Sequence, residues 1–87
     1  MKVIDWHLHV GTVANWTPWV NRYFRENNPE WYDRFAYRIT PEGLISYMES
    51  QGVSAGVMLS EYAPITSGIV TNEYTSRFCA GRKELVP

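Results

Sequence analysis

The 87 residues include one cysteine, Cys79, and two histidines, His7 and His9. A lone thiol closes no internal disulfide, which excludes the disulfide-stapled secreted class and favours a reducing, cytoplasmic setting. Long apolar runs are missing as well. After Met-Lys the short apolar stretch is broken by Asp5 and His7, too short and too polar for a signal peptide, and no run approaches the length of a membrane span. Charge of one sign is also lacking: eight Lys and Arg against nine Asp and Glu leave a net charge of -1. Neither nucleic acid nor an anionic membrane is therefore an expected partner. The length fits one small domain or a piece of a larger one.

Aromatic residues, by contrast, are plentiful. Four Trp, six Tyr and three Phe are present, and eight of these rings lie between Trp16 and Tyr37. Arg22, Arg25, Arg34 and Arg38 are interleaved with them, a pattern that can stack on bases. Glu26, Glu30 and Asp33 offset most of that charge, so the segment does not read as a nucleic-acid surface.

Val3 to Val10 alternates strictly and predicts a strand. Ile4, Trp6, Leu8 and Val10 fall on one face; Val3, Asp5, His7 and His9 fall on the other. Thr17 to Ile39 turns helical, with Thr17 as cap, Pro18 in the first turn, an interruption at Asn27-Asn28 and a restart at Pro29. The stripes are Trp19, Val20, Tyr23 and Phe24, then Trp31, Tyr32, Phe35, Ala36 and Ile39. Thr40-Pro41-Glu42 starts a further helix with Leu44, Ile45 and Met48 on its buried face, and Gly52 ends it. A second strand covers roughly Ala55 to Ser60, Pro64 to Gly68 reads as loop, and Thr71 or Asn72 caps a helix to Ala80 that carries Val70, Tyr74 and Phe78. Leu85-Val86-Pro87 resembles the start of a third strand.

This order is the βαβ alternation of an α/β fold with parallel strands and right-handed crossovers. It predicts the first βα units of a TIM-type (β/α)8 barrel, with an aromatic helical insert or lid at about 15–39; a doubly wound open sheet is the alternative. Parallel strands need neighbours at both edges, so the pattern points beyond its own end and predicts association through open sheet edges or the insert, a homo-oligomer.

His-Leu-His is the central chemical signal. On an extended strand His7 and His9 project to one side with Cα atoms ~6.8 Å apart, and their imidazoles can lean together onto one ion. Asp5, on the same face, either ligates or accepts a hydrogen bond that fixes an imidazole tautomer. Imidazoles suit zinc, and also iron, nickel or manganese where carboxylates complete the set. Cys79, beside Phe78, reads as a packed residue, since no histidine is free to activate it.

Val-Ile-Asp-Trp-His-Leu-His at residues 3–9 resembles the first-strand signature of the amidohydrolase superfamily, especially its aminocarboxymuconate semialdehyde decarboxylase-like branch. The resemblance implies that His7 and His9 bind a divalent metal, usually zinc with manganese or iron as alternatives, at the mouth of the barrel. It implies hydrolysis or non-oxidative decarboxylation of a small carboxylate, amide or lactone. The remaining histidine and aspartate of such sites have no counterpart here, because both histidines are used and Asp33 lies in the insert. The expectation is therefore an N-terminal fragment that is inactive alone; the competing expectation is a non-catalytic α/β interaction module. Loops after barrel strands carry specificity, which places Trp16, Trp19, Ser60 and Glu61 as candidate substrate contacts.

Overall fold

The computed structural model describes residues 2–35 and 39–87. It is a mixed α/β chain built on a small parallel sheet. In order it contains β1 (Ile4–Leu8), α1 (Pro18–Asn27), α2 (Pro29–Phe35), α3 (Pro41–Ser50), β2 (Ala55–Met58), β3 (Glu61–Ala63), β4 (Gly68–Val70), α4 (Asn72–Cys79) and β5 (Leu85–Val86). The parallel sheet has the order β1-β2-β5. The predicted first and second strands are thus parallel neighbours with α3 between them in sequence, and the tail at residues 85–86 is a third strand.

Local chemistry explains the element ends. The Thr40 hydroxyl accepts from the Gly43 N–H at 3.0 Å and Pro41 occupies the first turn, so α3 starts where the sequence predicts. The Thr71 hydroxyl takes the Tyr74 N–H at 3.1 Å and caps α4 in the same way. Gly52 and Gly81, with φ of 75° and 74°, turn the chain out of α3 and α4. The core lies between the sheet and these two helices: Val10, Met48, Met58, Phe78, Cys79 and Leu85, with Leu8, Leu44, Ile45 and Val53 packed against it. Ile4 and Trp6, which alternation groups with Leu8, remain 46% and 73% exposed, because the bulge between Asp5 and Leu8 puts Leu8 on the core-facing side with Met58. Glu42, in the first turn of α3, pairs with Arg82 ahead of β5, and that guanidinium holds its carboxyl below the ordinary value of 4.5.

Several expectations need correction. The loop expected at Pro64–Gly68 is present as a turn at residues 64–67, but it joins an unexpected antiparallel hairpin, in which β3 pairs with β4 through Glu61↔Val70, Tyr62↔Ile69 and Ala63↔Gly68 and Gly68 already lies on β4. Val70, expected on a helix, therefore sits on β4. Period-2 patterning over three residues is too short to separate a hairpin from a loop. Thr17 precedes α1 but makes no side-chain cap; its hydroxyl donates to the Thr66 carbonyl at 2.6 Å instead. In the first stripe Val20 is buried, whereas Trp19 and Tyr23 are 52% and 55% exposed. Ala36, in the second stripe, lies outside the described residues.

The hairpin is fastened to the segment ahead of α1. Thr17 N–H donates to the Ser67 carbonyl at 3.0 Å, Ile69 N–H to the Asn15 carbonyl at 3.0 Å, and Trp16 bridges Gly68. Gly68 has φ of 139°, and a Cβ there would collide with the Asn15 carbonyl oxygen. Gly68→Ala should therefore destabilise the chain by at least about 1–3 kcal/mol, the range for a strained backbone position. Thermal unfolding measures this; an unchanged midpoint would show that the hairpin is not pinned to residues 15–17.

Candidate metal centre

The two imidazoles meet at the carboxyl end of β1. In parallel α/β sheets, ligands gather outside the carboxyl ends of strands. His7 Nε2 lies 3.0 Å from His9 Nε2, with ring centroids 4.9 Å apart and planes at 64°. Both side chains are exposed.

A bulge in β1 sets up this meeting. The register runs Ile4↔Ala55, Asp5↔Gly56 and then Leu8↔Met58, so β1 fits one more residue than β2 between its last two pairs. Bulges bend a strand and re-aim its side chains. The Asp5 carboxylate accepts the His7 backbone N–H at 2.9 Å, satisfying a donor at the bulge. Asp5 thus supports the backbone of His7 and makes no contact with either imidazole among the hydrogen bonds of the described residues.

His9 has a second support. Its Nδ1 lies 3.1 Å from the Leu59 carbonyl oxygen, just beyond β2. A carbonyl only accepts, so Nδ1 is the donor in this contact, and with a single ring proton His9 would present its Nε2 lone pair toward His7. Ligating histidines are commonly oriented in this way, with the distal N–H donated to a carbonyl or carboxylate. Leu59 is the residue that sequence reasoning missed. The bulge sets Leu8 opposite Met58 and so places His9 beside Leu59, a register that the sequence does not announce.

Two ring nitrogens at this spacing could serve together as donors to one divalent ion. An ion ~2.0–2.1 Å from both nitrogens, which are 3.0 Å apart, subtends an angle of roughly 95°. Adjacent positions of an octahedron match that angle, and a tetrahedral ion needs the rings to part by a few tenths of an ångström. For both rings to ligate, each Nε2 must be free of its proton. Among the described residues, no group of three His, Cys, Asp or Glu side chains could hold a metal, and the pair would be two donors of a larger set. Cys79 is buried on α4 and burial pushes its thiol pKa up, away from the thiolate that binds metals.

A cavity of about 160 Å³ adjoins His9, lined by Val10, Gly11, Trp16, Trp31, Ile39, Leu44 and Tyr47 as well. Trp16 stacks on Trp31 at 5.8 Å and tilts against Phe24 at 5.2 Å. Asn21 holds this wall together: its amide N–H groups face the Val13 and Trp16 carbonyls, each at 3.2 Å, and its oxygen accepts from Tyr32. Of the four predicted substrate contacts, the structure brings Trp16 alone to the cavity beside His9. Trp19 is half exposed on α1, Ser60 bonds α4, and Glu61 accepts from Ser67 within the hairpin. Trp31, Leu44 and Tyr47 were read as packing residues or passed over; only the fold shows them lining one cavity.

No family model matches the chain, and no curated protein or solved structure does. No helix among the described residues is long and apolar enough to cross a membrane.

If the pair is the metal-binding element, His7→Ala combined with His9→Ala should abolish zinc binding in calorimetric titration while leaving the far-ultraviolet dichroism unchanged. Acid should release the ion from the wild type, because each imidazole must be unprotonated to ligate. Undiminished zinc uptake by the double variant would remove the site.

Proposed function

We propose that the chain is the first part of a metal-dependent (β/α)8-barrel enzyme of the amidohydrolase kind, acting on a small carboxylate, amide or lactone by hydrolysis or non-oxidative decarboxylation. The observation that carries the reading is the convergence of His7 and His9 Nε2 at 3.0 Å, with His9 oriented by the Leu59 carbonyl at 3.1 Å. Strict parallel pairing of β1 with β2 and of β2 with β5 is compatible with an opening barrel segment. The Asp-Trp-His-Leu-His run at residues 5–9 supports the same assignment through its resemblance to the superfamily's first-strand motif.

His7 and His9 hold the divalent ion in this reading, zinc by preference, and further ligands come from residues other than those described. When bound, the ion supplies Lewis acidity toward a substrate oxygen. The chain's own contribution is to orient the two rings and to offer an apolar wall beside them. The Leu59 carbonyl keeps the His9 proton on Nδ1, and Asp5 fixes the His7 backbone. The cavity beside His9 seats the apolar part of the substrate against Trp16, Trp31 and Leu44. Its volume of about 160 Å³ suits one ring, since an apolar cavity of about 150 Å³ holds benzene.

The zinc-loaded protein that contains this segment should turn over at least one single-ring or short-chain carboxylate, amide or lactone. Chelation should abolish that turnover, and Trp16→Ala should raise KM more than it lowers kcat. Turnover that survives complete removal of the metal would contradict the proposal.

A further inference from the structure

The peptide unit joining Leu59 to Ser60 is held at both ends. At one end the Leu59 N–H donates to the Leu8 carbonyl at 2.7 Å, closing the β1-β2 ladder. At the other end the Ser60 hydroxyl donates to Thr75 Oγ1 at 2.9 Å, with the Thr71 carbonyl at 3.3 Å. Thr75 is the buried polar residue of the chain's described part, 6% exposed on α4. α4 is itself seated in the core by Phe78 and Cys79. Between these two anchors lies the Leu59 carbonyl, whose oxygen faces His9 Nδ1 at 3.1 Å. Peptide planarity couples them: with both Cα atoms held, the Leu59 C=O can turn only about the Cα–Cα axis, and the side-chain anchor of Ser60 limits that turn.

We propose that Ser60 is a positioning residue for His9, transmitting the placement of α4 through the Leu59–Ser60 peptide to the imidazole. The hydroxyl pair Ser60–Thr75 stops that peptide from tilting, so the Leu59 oxygen stays aimed at Nδ1. His9 then keeps its proton on Nδ1 and its Nε2 lone pair toward His7. The consequence for metal affinity rests on the metal-site reading above; the consequence for the His9 tautomer does not.

The test therefore has two readouts. In metal-free protein, long-range proton–nitrogen correlation spectra should show His9 in the Nδ1–H form. Ser60→Ala should shift it toward the Nε2–H form, and Ser60→Thr, which keeps the hydroxyl, should restore it. In cobalt(II) titrations followed by visible absorbance, Ser60→Ala should weaken affinity about tenfold, the lower end for loss of an outer partner of a ligating histidine. Thr40→Ala, which removes the cap of α3, should lower the melting temperature and leave cobalt affinity unchanged. If Ser60→Ala does not fold, Thr75→Val removes the acceptor from the other side and should give the same shift. A wild-type His9 that is not in the Nδ1–H form, or an unaltered His9 tautomer in Ser60→Ala, overturns the proposal. A tautomer shift in a protein that binds no cobalt supports the positioning role and refutes the metal-site reading alone.

Discussion

Leu59 is bonded through both of its backbone polar groups to the segment that carries the histidines. Its N–H closes the ladder to Leu8, and its carbonyl fixes the His9 ring. The rest of the site depends on that arrangement. Were β2 displaced by one residue, the carbonyl would point elsewhere and the His9 ring would lose its one backbone partner among the described hydrogen bonds. The parallel sheet thus brings a backbone partner to an exposed imidazole pair without burying either ring.

A second set of contacts places the apolar wall beside the pair. Asn15, Trp16 and Thr17 are bonded to the β3-β4 hairpin, and Asn21 gathers the carbonyls around the start of α1. Trp16 is held by this network and stacks on Trp31, so the cavity wall is positioned by backbone hydrogen bonds more than by ring packing. The hairpin explains why an aromatic segment of so few aliphatic residues takes a defined place next to His9. It supplies the backbone partners that the segment's own helices do not.

The parallel α/β order was legible because α3 begins and ends with strong local signals, the Thr40 cap and Gly52, and because β1 alternates cleanly. The third strand was legible from two apolar residues placed after a helix stop. The histidine pair was legible because spacing of two on a strand brings side chains to one side. The bulge was not, since alternation survives on paper whatever the register to a partner strand. For the same reason Asp5 read as a ligand or an imidazole partner, whereas it bonds the backbone of His7. The hairpin at residues 61–70 and the Ser60–Thr75 contact depend on tertiary neighbours, and no local pattern announces them. Exposure of Trp6, Tyr62 and Ile65, at 73%, 82% and 89%, was likewise beyond the reach of hydropathy.

The claim at the centre of this account is that His7 and His9 bind one ion together through their Nε2 atoms. X-ray absorption at the zinc edge of protein loaded with one equivalent of zinc tests it most directly. Two imidazole nitrogens at ~2.0–2.1 Å, recognised by the scattering of their rings and completed by oxygen ligands, are expected. A first shell with one imidazole or none, or one containing the sulfur of Cys79, would contradict it.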